Sequence, residues 1–214
     1  MSKVASKLNY IFNWIESKCL DFSDCYNPGL NHQEIEDLIE SLPFKISREL
    51  HDLYAWRNGT EDPNHNNGWC KDLFLFPENL FCSEPIAFFS LQDSIANYFD
   101  LYQASQETIG SDFEYEFWNY KWFPFASFEN KRILYIIGDL DPSPVYLWDI
   151  DCKPKQIRVY RNITSMLSAI AECCELEIYK LIPYEYGEDD EMIIRIDEDK
   201  LSIEKAIYQK YSLR

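Results

Sequence analysis

Between Lys121 and Tyr160 the apolar residues stop recurring at helical spacing and fall into four short runs, KWFPFASF, RILYIIGD, PVYLWDID and QIRVY. Breaks at Glu129-Asn130, Asp141-Pro142 and Lys153-Pro154 separate them by little more than a turn. Aromatic and β-branched runs with such short gaps predict an antiparallel meander, because parallel strands need far longer crossovers. ILYII is apolar at successive positions, which predicts a strand covered on both faces, whereas Arg158 gives QIRVY one wetter face. Helices must supply the cover.

Helical periodicity marks them. Val4, Leu8, Ile11, Phe12 and Ile15 form one stripe, and Asn31 caps a second helix carrying Ile35, Leu38, Ile39 and Leu42, which Pro43 stops. In FKISRELHDLYAWRNGTED, Ser47 is the N-cap, Glu49 suits the positive first turn, and Leu50, Leu53 and Tyr54 form the apolar face. Gly59, beside Asn58, is expected to be the left-handed stop of that helix rather than part of a hairpin turn. Ser90 with Asp93 makes a capping box ahead of Leu91, Ile95, Tyr98, Phe99 and Tyr102, which are expected to face the core. Asn162 or Thr164 caps a helix with Ile163, Met166, Leu167, Ile170 and Cys174 on one face, and Ile203, Ile207 and Tyr211 mark a last one. Leu73 to Phe76 is a short apolar run, and Met192 to Ile196 reads as a strand inside an acidic segment. Helices before, within and after a meander predict a single-domain α+β fold with an antiparallel-rich twisted sheet.

With 46% apolar and 16% aromatic residues, the 214-residue chain has enough to bury for one core without disulfides or metals. A formal charge of -17 argues against direct binding to nucleic acid or an anionic membrane, and favours a basic protein partner. Cys19, Cys25, Cys70, Cys82, Cys152, Cys173 and Cys174 are odd in number and contain no C-x-x-C pair, so reduced thiols in a reducing compartment are expected. The N-terminal stripe is too interrupted for a signal peptide and no run is long enough to span a bilayer, which predicts a cytoplasmic address.

Chemistry leaves few marks. The six glycines form neither G-x-G-x-x-G nor a P-loop. His32, His51 and His65 are scattered, with no H-E-x-x-H and no G-x-S-x-G, and read as surface or hydrogen-bond-satisfied residues. Acids are the richer group: Glu61 and Asp62 after the third helix, Asp139 and Asp141 in the first hairpin connection, Asp149 and Asp151 at the end of the next strand, and the cluster Glu188 to Glu191. Paired carboxylates suit glycoside hydrolysis and grouped ones a hard cation, but Asp139-Leu140-Asp141 is too short for a calcium loop. Trp118, Tyr120, Trp122, Phe123, Phe125 and Phe128 are expected to be mostly core, and Trp148 half buried. No catalytic residue, metal ligand or cofactor is assigned.

The order of these elements is informative. Leu42, Pro43, Leu50, Leu53, Tyr54, Trp56, Asn58 and Gly59, then Trp122 and Pro124, then Asp139, Pro144, Val145, Trp148 and Asp149, and finally the helix Ile163 to Cys173, together resemble the Smi/Knr-like, or SUKH, superfamily. The tail DEDKLSIEKAIYQKYSLR is similar to the ending of longer bacterial members, cyanobacterial ones in particular. The expected organisation is an N-terminal helix and connection (1–30), a SUKH-like core (31–179) and an acidic C-terminal extension (180–214). The resemblance implies a protein-binding module rather than an enzyme, used for immunity against polymorphic toxins, often nucleases, or for regulating cell-wall glucan synthesis. An interaction role in toxin immunity is the leading expectation, with Glu61, Asp62, Asp139, Asp141, Asp149 and Asp151 as candidate partner-binding residues. Cell-wall regulation or scaffolding, and a hydrolase using paired acids, are the alternatives.

Overall fold

In chain order the structure contains α1 (Lys3–Glu16), β1 (Tyr26–Pro28), α2 (His32–Ile39), α3 (Arg48–Trp56), β2 (Arg57–Thr60), β3 (Ala87–Phe88) and α4 (Leu91–Glu107). There follow β4 (Trp122–Phe128), β5 (Arg132–Ile137), β6 (Val145–Asp149), β7 (Gln156–Tyr160), α5 (Ile163–Glu175), β8 (Tyr179–Pro183), β9 (Met192–Ile196) and, after a 3-10 turn, α6 (Leu201–Ser212). The computed structural model describes residues 2–18, 26–60, 86–107, 118–128, 131–150, 156–183 and 192–212. The Leu73 to Phe76 run, the acids Glu188 to Glu191, His65, and Cys19, Cys25, Cys70, Cys82 and Cys152 lie outside them. No helix among the described residues is long and apolar enough to cross a membrane.

The predicted α+β meander is the centre of the fold, an antiparallel sheet in the order β3-β4-β5-β6-β7. Pro124 is accommodated in β4 because the register skips from Pro124↔Tyr135 to Ala126↔Leu134, which leaves Phe125 as the extra residue of a bulge. On β5, Leu134 and Ile136 enter the main core, while Ile133 and Tyr135 join Trp118 and Trp148 on the opposite face. Both faces are therefore covered, as the unbroken apolar run requires.

The opposite face is sealed by aromatic rings and by Leu101 of α4. Tyr135 lies 4.7 Å from Trp122 and 5.3 Å from Tyr146 between ring centres, and Trp118 donates its indole N–H to the Trp122 carbonyl at 3.0 Å. Ring pairs of this kind add about 0.5–1.5 kcal/mol each beyond the area they bury. Tyr120 and Phe99 depart from the expected core, at 49% and 42% exposure. α4 turns Leu91, Ser94 and Tyr98 inward, and that narrower stripe leaves Phe99 at its solvent edge.

Asn162 caps α5, which is buried on nearly every side; α1 packs on α5 and α3, and its predicted stripe from Val4 to Ile15 is buried, with Phe12 edge-on to Trp56 at 5.4 Å. α6 packs on α5 as well, with Ile207 and Tyr211 of the expected face against the core and Tyr208 beside them. Ile203 is exposed, while Ile207 and Tyr208 are buried and the Tyr208 hydroxyl meets that of Tyr179 at 2.8 Å. One core runs without interruption across positions 30/31 and 179/180.

α3 begins at Ser47 as expected, but it ends at Trp56, because Arg57 is already extended and starts β2. Gly59 does adopt a positive φ of 77°, within a strand rather than as a helix cap. The pairing Pro28↔Arg57 and Tyr26↔Thr60 sets Asn58 and Gly59 opposite the single residue Asn27, whose side-chain amide donates to the carbonyls of Asn58 and Thr60. A left-handed glycine is what such a bulge takes.

Candidate functional site

At one edge of the molecule the β5–β6 loop meets the segment that joins α2 to α3. Leu42 and Phe44 anchor that segment, with Phe44 edge-on to Tyr98 at 5.3 Å. A Cβ on Gly138 would sit 2.4 Å from the Phe44 ring, so a glycine there lets the loop come in close.

Two of the predicted acids fasten this junction. Asp139 donates its amide to the Lys45 carbonyl at 2.9 Å, accepts from the Lys45 amide at 3.1 Å, and pairs with Lys121 Nζ at 2.9 Å. The Lys121 hydrogen bond first, and the Lys45 amide second, hold its carboxyl below the ordinary carboxylate range. Asp141 accepts from Arg48 Nε at 2.6 Å and from the Arg48 amide at 3.3 Å. Since Arg48 opens α3, this carboxylate also meets the positive end of the helix dipole. Both acids thus spend part of their charge on tying the loop to the helix start.

Asp149 behaves differently, for it lies at the end of β6, is 5% exposed, and accepts from Arg132 Nε at 3.0 Å across the strand pair. The fold therefore brings Asp139 and Asp141 together and turns Asp149 toward Arg132. Glu61, Asp62 and Asp151 lie outside the described residues.

Beside Asp139 is an open groove of about 630 Å³, with Glu36, Asp37 and Glu40 of α2 and its C-terminal flank on one wall and Ile39, Leu42, Pro43 and Phe44 among its lining. Lys45 is the single basic residue of that lining. The three wall acids were not among the sequence candidates, although EIEDLIE sets them at helical spacing away from Ile35 and offers a readable signal.

Glu36 belongs to a second constellation that sequence reasoning also missed. His32 Nδ1 lies 2.9 Å from His51 Nε2, and Glu36 Oε1 stands 3.9 Å and 3.6 Å from those two nitrogens. Scattered in the chain, His32 and His51 meet because α2 packs against α3. The visible hint was the four-residue step from His32 to Glu36 on a predicted helix, which puts both on one face.

Fold and edge together define an α+β protein in which Asp139, Asp141 and Asp149 hold its own loops and strands. The model of the SMI1 / KNR4 family (SUKH-1) matches residues 29–169 of the chain, and the protein belongs to that family. No curated protein matches the chain.

Proposed function

We propose that this chain is a non-enzymatic protein-binding module of the cytoplasm, and that it neutralises a basic polymorphic toxin by docking it at the α2/β5–β6 edge. The observation that carries this reading is the groove itself, with Glu36, Asp37, Glu40 and Asp139 set around an apolar lining and against one lysine. A cationic surface gains there both contact area and a field that speeds its approach. The net charge of -17 adds long-range attraction of the same sign. Family membership supports a protein partner, and Glu61, Asp62 and Asp151 are proposed for the same surface from their charge and loop positions in the sequence.

A hydrolase reading finds less support. A general acid needs a carboxyl held protonated near neutral pH, and Lys121 pushes Asp139 in the other direction.

Co-expression with basic toxins encoded in the same genome, scored as growth rescue, tests the immunity role. Surface-plasmon kinetics at two ionic strengths tests the groove. Joint replacement Glu36→Gln, Asp37→Asn and Glu40→Gln is expected to slow association and weaken its dependence on salt. Rescue by no toxin would overturn immunity, and an unchanged on-rate in the triple variant would overturn the groove as the docking site.

A further inference from the structure

We infer that His32, Glu36 and His51 form a binding site for a divalent transition metal of the zinc type. Its three donor atoms come from two rigid elements, with His32 and Glu36 one turn apart on α2 and His51 projecting from α3. Their separations of 2.9, 3.6 and 3.9 Å define a triangle whose centre lies about 2.0 Å from all three atoms, matching zinc bonds to imidazole and carboxylate of about 2.0–2.2 Å. An ion just outside that plane would complete a tetrahedral set with a water in the fourth position.

Hydrogen bonding alone accounts for the cluster poorly. Two neutral rings at 2.9 Å share a single proton between them, and Glu36 Oε1 is beyond hydrogen-bond reach of either nitrogen. A cation satisfies all three donors at once. The donor set also selects the ion, because two imidazoles with one carboxylate suit zinc and its neighbours, whereas magnesium and calcium take oxygen-rich shells. His32 and Glu36 are 77% and 49% exposed at their side chains while His51 is 23% exposed, so the site opens to solvent above a partly buried anchor. Bound metal would cross-link α2 to α3 beside the acidic groove. The inference stands on this geometry and is independent of the partner reading.

The test is calorimetric titration of Zn²⁺ into the full chain, stripped with chelator and kept reduced, with His32→Gln and Glu36→Gln in parallel. Both replacements are at exposed positions and leave the core intact. Wild type is expected to bind one equivalent that each variant loses or holds more than about tenfold more weakly, since even outer-shell changes around a metal cost about that much. Zn²⁺ should also raise the melting temperature of wild type more than that of either variant, because an ion that binds only the folded chain stabilises it. Equal affinity, stoichiometry and melting shift in all three proteins would assign the metal to thiols or other groups and overturn the inference. So would a wild-type chain that takes up no Zn²⁺.

Discussion

Replacing Gly59 with alanine tests whether this residue is the cap of a helix or the point where two backbones touch. An added Cβ would lie 2.2 Å from the Ser90 amide nitrogen, 2.5 Å from the Phe89 carbonyl carbon and 2.6 Å from Ser90 Cα, and none of these atoms belongs to a side chain that can swing away. The left-handed backbone alone costs an L-residue about 1–2 kcal/mol, from which roughly 0.4–1 kcal/mol is recovered through the stiffer unfolded chain. The clash then forces β2 away from the start of α4. That displacement strains the bond from the Leu91 amide to Asn58 Oδ1 at 2.8 Å, a helix-capping contact worth about 1 kcal/mol, and the one from Thr60 Oγ1 to the Phe88 carbonyl at 3.1 Å. With overpacking of about 1–3 kcal/mol, the expected loss is about 2–5.5 kcal/mol, against about 1 kcal/mol for a simple helix stop. Urea denaturation of wild type, Gly59→Ala and Gly59→Asn measures it. Asparagine tolerates a positive φ, so it would rescue a cap, but it carries the same Cβ and is expected to fare no better than alanine here. A loss below about 1 kcal/mol in alanine, or a clear recovery in asparagine, would refute the close-approach argument.

The Asp139–Lys121 pair should shape the pH dependence of stability. The lowered carboxyl contributes fully above the ordinary carboxylate range and loses its contribution as pH falls through the depressed value, while the raised ammonium contributes below the ordinary lysine range and loses it as pH rises through the elevated one. Melting temperature against pH for Asp139→Asn is expected to fall less steeply at both ends than for wild type, and parallel curves would refute the assignment. The thiols of α5 should be inert in the folded chain, because Cys173 and Cys174 are buried and burial pushes Cys173 up to about 12. Peptide mapping after maleimide treatment is expected to find both unmodified until denaturant is added, and rapid native labelling would count against it.

Composition and spacing made the meander legible, since β5 and its neighbours are four consecutive apolar and aromatic runs parted by turn-sized breaks. Caps were equally readable: Ser47, Asn31 and Asn162 each hold the amide three residues on, at 3.3, 3.0 and 2.8 Å. Gly59 shows where local grammar fails, for its positive φ was readable but its setting depends on β1, some 30 residues upstream. α6 was legible in part: Ile207 and Tyr211 pack on the core as their spacing indicates, but Tyr208 also turns inward to meet Tyr179 and Ile203 stays exposed, because a short helix with several apolar residues does not declare how its buried face is centred. The edge was half legible. Asp139 and Asp141 could be picked out as paired loop acids, but not their ties to Lys45, Lys121 and Arg48, which arise only when the β5–β6 loop docks. His32 and His51 lie on successive helices, and nothing in their spacing announces that the rings will meet.

The packing of α1 on α5 bears on how the chain is made. α1 also packs on α3, but it leaves the ribosome roughly 160 residues before α5, which at synthesis rates of about 5–20 residues per second is a wait of roughly 8–30 s. For that interval the stripe Val4, Leu8, Ile11, Phe12 and Ile15 lacks α5, and that contact is of high sequence separation, the kind that forms late in folding. A nascent chain of this design keeps an apolar stripe from completing its burial until α5 is made, which gives a chaperone a segment to hold.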